Sequence, residues 1–307
     1  MQTINPKEVL YIKLGKEGMW ERECIEKENT LKLGYNEVPH DLCVKGEWEK
    51  VQEECLKFHK KSAAKRDVQQ IRCFYEADES VLWITFYQNK LCWCFSKPEV
   101  TLQDDGTKTR PVIEKWKCED IEGEPLLFDR LSGDILSLQA FRGTICRVDK
   151  SEYVINKINA EKSEEIKEAE TALKNLEEKL KTIIQRLHWK DFETLTDLIF
   201  RQAGWKRVSL LGDQQRGFDL DLLCPITGNR YLVQVKSKAS EKDLTEFQNK
   251  FKSSKNDYTK FYFVVHSPTQ DLEDTKQNGD FKLILVQDIA KWAVQLGLAE
   301  WVIKKTP

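Results

Sequence analysis

The stretch GFDLDLLCPITGNRYLVQVKSK, residues 217–238, consists of two apolar runs that contain the polar residues Asp219, Asp221, Gln234 and Lys236. A segment with Pro, Gly and Asn separates the runs, which is typical of a turn between two antiparallel strands. Strands this rich in Leu and Val are expected to be buried, so their polar residues need an explanation.

Side chains along a strand alternate between its two faces. Asp219 and Asp221 are therefore predicted to share one face of the first strand, and Gln234 and Lys236 to share one face of the second. The opposite face of the first strand is predicted to carry Phe218, Leu220 and Leu222.

Strand pairing predicts that these polar groups converge. If Cys224 lies opposite Arg230, Asp219 lies opposite residue 235, give or take one residue. Asp219 then lies beside Gln234 and Lys236, at the edge of an apolar sheet. Carboxylate and amide oxygens are ligands that Mg²⁺ accepts, and an ammonium group can orient a water or stabilise developing negative charge. The patch therefore suits divalent-metal hydrolysis of a phosphodiester, with Asp221 as the rival or additional ligand.

A helix precedes the strand pair. WKDFETLTDLIFRQAGW, residues 189–205, has apolar residues on one side and ends at Gly204. Glu193, near its start, is a further carboxylate for the patch. After the hairpin, a helix near 241–253, apolar strands at 261–267 and 281–286, and a closing helix near 287–297 predict a sheet flanked by helices.

The order of this helix, GFDLDL and YLVQVKSK resembles the Mrr-like branch of the PD-(D/E)XK restriction endonucleases, over about residues 188–305. In that branch Gln commonly replaces the middle acidic residue. The resemblance implies an αβ sandwich with a mixed sheet, Mg²⁺ or Mn²⁺ as cofactor, and DNA as substrate. By position, it makes Asp219 and Gln234 the metal ligands, with Lys236 and Glu193 as the other catalytic residues.

The function that the resemblance implies is endonucleolytic restriction of foreign or modified DNA, as in phage defence. The alternatives are an inactive member of the fold that acts as a nucleic-acid-binding or adaptor protein, and an ordinary solvated hairpin. Lys238 and Lys250 could follow a phosphate backbone, or belong to a solvated face. His266, at the end of an apolar strand, is interpreted as structural.

Residues 1–150 predict a mainly β domain of the α+β class. Apolar strands at 9–15, 30–35 and 81–95 surround a helix at 47–61, and the polar segment 97–111 predicts an exposed loop. The domain loosely resembles PUA, EVE and SRA-like modules that read modified bases. Aromatic residues of the 81–95 hairpin, including Trp83 and Trp93, could form the core or stack on a base.

Residues 151–187 are rich in Glu and Lys and contain no Gly or Pro. Their apolar residues form a heptad seam, which predicts a coiled-coil-like linker between domain 1–150 and domain 188–307. The linker could join two copies as a homodimer, fold back on a domain, or act as a solvated spacer. The seam residues are Ile166, Ala169, Leu173, Leu176, Leu180, Ile183 and Leu187.

Composition excludes several classes of protein. The net charge of -2 excludes a globally basic surface. Nine scattered cysteines argue against a secreted disulfide framework, and no apolar run is long enough to span a membrane, so we expect a cytoplasmic protein. Cys92 and Cys94 are interpreted as unreactive thiols. A zinc site is the less favoured interpretation of His40, Cys43, Cys55 and His59.

Overall fold

The computed structural model describes residues 2–208, 218–252, 258–273, 279 and 281–306. Three parts of the predicted features lie outside this range, namely Gly217, residues 209–211 of a predicted VSLL strand, and Lys255. The chain forms two compact units, Met1–Ser163 and Glu164–Pro307.

The first unit is built on one seven-stranded sheet with the order β2-β6-β4-β3-β1-β7, in which β5 pairs with β6. Strands β1 and β3 are parallel, and the other pairs are antiparallel. The turn between β3 and β4 is formed by Gln88 and Asn89, whose φ values of 48° and 58° match a tight hairpin turn. The strands are β1 (Glu8–Ile12), β2 (Thr30–Leu33), β3 (Val81–Tyr87), β4 (Lys90–Ser96), β5 (Thr101–Leu102), β6 (Lys108–Lys117) and β7 (Ile145–Arg147).

Helices cover both faces of this sheet, so the unit is a mixed α and β domain rather than a mainly β one. Residues of α1, α2 and α3 pack on one face, and residues of α4 and α5 pack on the other. The helices are α1 (His40–Val44), α2 (Trp48–Leu56), α3 (Lys61–Glu76), α4 (Gly133–Leu136) and α5 (Ser151–Ile158), with short helical turns at Lys16–Gly18, Glu23–Glu28, Phe128–Arg130 and Ser137–Ala140.

The segment 97–111 is not the exposed loop that its polarity predicts. It contains β5 and the start of β6, and Lys108 and Arg110 are fully buried. The Arg110 guanidinium donates to the carbonyls of Lys97, Phe74 and Ala77, while Lys108 Nζ donates to the Tyr35 carbonyl. Buried polar groups are tolerated when they are hydrogen-bonded in this way, which sequence polarity alone does not reveal.

The cysteines depart from expectation at one position. Cys92 forms a disulfide with Cys118, so it is not the free thiol that its strand position suggested, whereas Cys94 is a buried free thiol. The disulfide weakens the inference of a reducing compartment, because disulfides persist mainly in oxidising ones.

The zinc candidates do not form a cluster. Cys43 and Cys55 are buried in the apolar core, His40 is hydrogen-bonded to the Tyr75 hydroxyl, and His59 is exposed. Across residues 2–208 and the later described segments, no group of three His, Cys, Asp or Glu side chains could hold a metal ion.

The predicted linker 151–187 is divided between the two units. Helix α5 packs into the first unit through Val154 and Ile158, and the next helix, α6 (Glu164–Ile184), belongs to the second. Leu180 and Ile184 of α6 are fully buried in the core of the second unit, whereas the earlier seam residues are exposed. The seam therefore folds back onto a domain over its last turns.

The second unit contains a five-stranded mixed sheet with the order β12-β11-β10-β9-β8. Strands β10, β11 and β12 are parallel, and β8, β9 and β10 are antiparallel neighbours. The hairpin of interest thus includes the central strand β10 rather than an edge of the sheet. The strands are β8 (Lys206–Arg207), β9 (Leu220–Leu223), β10 (Arg230–Ala239), β11 (Lys260–Pro268) and β12 (Phe281–Leu285).

Helices pack on both faces of this sheet, as expected for an αβ sandwich. One core joins the sheet to α6, α7, α10 and α11, and the other joins it to α8 and α9. No helix within the described residues is long and apolar enough to cross a membrane. Besides α6, the helices are α7 (Trp189–Gln202), α8 (Glu241–Lys252), α9 (Gln270–Glu273), α10 (Val286–Gln295) and α11 (Ala299–Lys305).

Candidate active site

The candidate site lies where the chain enters β9 beside the middle of β10. Leu220 pairs with Val233, and the Asp219 amide donates to the Val233 carbonyl at 3.1 Å. Continued by one step, this register puts Asp219 opposite Gln234, one residue from the predicted partner and within the expected tolerance. The pairing therefore brings the first acidic residue next to the amide.

Face alternation holds within β9 but not before it. Leu220 and Leu222 pack with α7 and α10, as the alternation predicts. Phe218 instead packs on the other side of the sheet, with ring centroids 6.2 Å from Phe247 and 5.6 Å from Phe261. The prediction for Phe218 is wrong because β9 begins only at Leu220, so strand alternation does not reach it.

Asp219 and Gln234 are in direct contact. Gln234 Nε2 donates a hydrogen bond to Asp219 Oδ2, and the Val235 amide donates to the same oxygen at 2.7 Å. Gln234 is 3% exposed, and its Oε1 is buried without a hydrogen-bond partner. An unsatisfied buried acceptor is costly and rare, and it marks a position where a ligand or ion is expected.

Two acidic residues of the site interact electrostatically. Burial raises the pKa of Asp219, opposed by the Val235 amide, the Lys236 charge and the Gln234 amide. Burial also raises the pKa of Glu193 on α7, and the negative charge of Asp219 adds to that rise. A pair of partly buried acids with raised pKa values is an arrangement that a bound cation would relieve.

Lys236 lies two residues beyond Gln234 on the same face of β10. Its Nζ is 5.1 Å from the centroid of the Phe247 ring on α8. Its positive charge lowers the pKa of Asp219 and also that of Asp243. The ammonium group is therefore close enough to act on the Asp219 carboxylate, as the sequence predicts.

Arg207 and Asp197 complete the surroundings of Asp219, and sequence reasoning missed both. Arg207 Nη2 donates to the Asp219 carbonyl at 3.2 Å, and its Nη1 lies 3.7 Å from Asp197 Oδ1. Asp197 follows Glu193 by one helical turn, a signal that the spacing on α7 could have given. Arg207 had no such signal, since its position depends on the pairing of β8 with β9.

Asp221 has partners of its own. It forms an ion pair with Arg230 and accepts a hydrogen bond from the Tyr258 hydroxyl at 2.9 Å. Only 12% of its side-chain surface is exposed. The structure therefore does not bring Asp221 into the contact between Asp219 and Gln234.

The remaining candidates are spread out. Lys238 is exposed on β10, whereas Lys250 on α8 pairs with Glu246 at 2.9 Å and lies over the Phe247 ring. His266 is 3% exposed and packs edge-on against Phe192 with centroids 4.6 Å apart. Burial lowers the pKa of His266, which favours its neutral form.

Trp83 and Trp93 in the first unit are core residues. Trp83 is completely buried and Trp93 is 3% exposed, with the Trp93 indole donating to the Glu119 carbonyl. Neither ring has a free face on which a base could stack, so the prediction that they bind nucleic acid is contradicted. Strand alternation could not separate core rings from pocket rings, because helices cover both faces of this sheet.

A mixed sheet between helices, with an acid, an amide and a lysine on its central hairpin, defines a restriction-endonuclease-type domain. Residues 184–292, about a third of the chain, match the family model described as restriction endonuclease, the Mrr catalytic domain. The second unit thus contains an Mrr-like nuclease domain. No curated protein and no solved structure matched the chain.

We expect the metal-free Asp219→Asn variant to be more stable than the wild type at pH 7. Burial holds the folded-state pKa of Asp219 above its unfolded value, so stability from this group is present at low pH and is lost as pH rises through the folded-state pKa. Asparagine stays neutral, and its Oδ1 can accept both bonds that Asp219 Oδ2 accepts. Urea unfolding in EDTA measures the difference, which should vanish near pH 3.

The control is Glu168→Gln on the exposed part of α6, which should leave stability unchanged at both pH values. A stabilisation by Asp219→Asn that is the same at pH 3 and pH 7 would contradict the assigned burial cost.

Proposed function

We propose that the second unit hydrolyses DNA phosphodiester bonds with Mg²⁺ or Mn²⁺ bound by Asp219 and Gln234. The observation that carries this proposal is the buried Gln234 Oε1, an acceptor without a donor beside a partly buried carboxylate. A hard cation satisfies both groups at once. Mg²⁺ keeps several waters and needs only one or two protein carboxylates, so a larger acidic cluster is not required.

Each side chain has a distinct role in this proposal. When bound, the metal would offset phosphate charge and lower the pKa of a coordinated water. Asp219 and Gln234 hold the ion, and Glu193 supplies a second carboxylate, either as a ligand or to accept a proton. Lys236 donates to the phosphate or the attacking water and stabilises the charge that develops in the transition state.

Arg207 positions Asp219 without touching the substrate. Its guanidinium holds the Asp219 carbonyl and is itself held by Asp197. This contact fixes the entry into β9, a second layer of support that aligned catalytic groups need. We leave Asp221 out of the ligand set, because Arg230 and Tyr258 already occupy its carboxylate.

DNA is proposed as the substrate because the matched family is that of the restriction endonucleases. Restriction of foreign or modified DNA, as in phage defence, is the corresponding biological role, and the cytoplasm is the compartment where such DNA is met. Lys238 and Lys250 remain proposed backbone contacts. The presence of acid, amide and lysine together favours an active nuclease over an inactive adaptor.

A homodimer would provide the two sites needed to cut both strands. The first turns of α6 support this proposal, because Ile166, Leu173 and Leu176 are 50%, 49% and 37% exposed. Exposed apolar residues at heptad spacing favour pairing with another helix. Sedimentation equilibrium, which reports mass in solution, should give twice the chain mass.

The proposed function is tested by incubating the full chain with plasmid DNA, modified phage DNA or RNA, in Mg²⁺, Mn²⁺ or EDTA. We expect cleavage of at least one DNA substrate with either metal and none in EDTA. Cleavage of RNA alone would contradict the proposed substrate, and cleavage that persists in EDTA would contradict the proposed cofactor.

A further inference from the structure

The first unit contains a pocket of about 410 Å³ that the nuclease site does not use. It opens between the end of β1, the turn that joins β3 to β4, and the loop after β1. Pockets of this size hold a small organic ligand rather than a protein segment. The lining residues are Tyr11, Lys13, Gly15, Glu17, Gly18, Glu21, Phe86, Tyr87, Gln88, Asn89, Phe128 and Gln139.

Aromatic rings form one wall of this pocket. The Tyr11 and Phe86 rings lie 5.6 Å apart, and Phe128 meets Phe86 edge-on with centroids 5.5 Å apart. Tyr11 and Phe86 are largely buried, at 4% and 6% exposure, whereas Phe128 is half-buried. Phe86 therefore belongs to the predicted aromatic hairpin, but it faces the pocket region that Trp83 and Trp93 do not reach.

A carboxylate without a partner lies in the same pocket. In the part of the first unit that the structure describes, no side chain forms an ion pair or hydrogen bond with Glu21. Burial raises the pKa of Glu21. The carboxylate lies against Gly18, where an added Cβ would come within 2.5 Å of it. Gly18 also has a φ of +76°, so a glycine is needed there both for backbone conformation and for space.

We propose that this pocket binds a single nucleobase, stacked on the aromatic wall with ring-edge N–H groups donating to Glu21. Bases stack on aromatic side chains, and a carboxylate accepts from the amino and imino groups that guanine, adenine and cytosine carry. Gln88 and Gln139 add amide groups to the rim. A base that is swung out of a duplex presents both its faces and its edge to such a pocket.

The base could come from a free nucleotide or from DNA, and the two sources are distinguishable. Binding is measured in EDTA with the full chain, so the result does not depend on cleavage by the second unit. The probes are the four deoxynucleoside monophosphates, a fully paired duplex, and the same duplex with one unpaired, bulged base. Isothermal titration or fluorescence anisotropy gives each dissociation constant.

We expect the bulged duplex to bind at least about tenfold more tightly than the paired one, with a preference among the bulged bases. Glu21→Gln should weaken binding of the preferred base about tenfold, because the carboxylate becomes a neutral amide. Phe128→Ala should weaken binding of every base by about tenfold or more, because it removes stacking surface. The exposed Glu79→Gln is the matched control and should bind as the wild type does.

Circular dichroism checks that each variant is folded. Binding of a monophosphate with the same dependence on Glu21 and Phe128, but no preference for the bulged duplex, would identify a nucleotide site and support the pocket. Equal binding of paired and bulged duplexes together with no monophosphate binding would overturn the proposal. Unchanged binding by both folded variants would overturn it as well.

Discussion

Lys236→Met should lower the rate of metal-dependent DNA cleavage by about 100-fold or more while leaving the protein folded. Removing one charged donor from a transition-state site commonly costs this much. Methionine keeps most of the apolar stem that packs near Phe247, so the change is mainly the loss of the ammonium group. Initial rates of plasmid cleavage at saturating Mg²⁺ measure the effect.

Lys291→Met provides the matched control, because Lys291 is exposed on α10. It should cleave at the wild-type rate. If Lys236→Met stays within about threefold of the wild type, Lys236 does not act in the reaction and the assignment of the site is wrong.

Substitutions of Gln234 should separate a metal ligand from a structural amide. Gln234→Leu removes both the oxygen and the donor to Asp219, so we expect cleavage to fall about 100-fold and the Mg²⁺ requirement to rise. Gln234→Glu retains a ligand oxygen and should cleave at saturating metal. Without metal it places two carboxylates side by side, which raises their joint pKa, so its activity should begin at higher pH.

Measured across Mg²⁺ concentration and pH, the two variants should therefore differ strongly. Equal loss in Gln234→Leu and Gln234→Glu would show that the amide donor to Asp219 is what matters. The proposed role of Gln234 as an oxygen ligand would then be wrong.

The sequence predicted the second unit well because its hairpin is local. Strand pairing across a short turn fixed the neighbours of Asp219 to within one residue. The helix with Glu193 was also recognisable from apolar spacing and its terminal glycine. By contrast, the placement of Arg207 and the partners of Asp221 depend on tertiary contacts, which periodicity does not contain.

The first unit was harder to predict because both faces of its sheet are covered. In such a sheet every strand residue is buried, so alternation cannot tell Trp83 in the core from Phe86 beside a pocket. The burial of Arg110 likewise depends on carbonyls from distant segments. The last turns of α6 were ambiguous for a similar reason, since a heptad seam packs equally well on another helix or on its own domain.

The most direct test of the central claim compares the wild type with Asp219→Asn, which should fold and keep its hydrogen bonds. Plasmid cleavage in Mg²⁺ and Mn²⁺ binding by titration calorimetry are measured on the same preparations. We predict metal-dependent cleavage and a bound Mn²⁺ for the wild type, and loss of both for Asp219→Asn. Metal-dependent cleavage and Mn²⁺ binding that survive in folded Asp219→Asn would contradict the proposed active site.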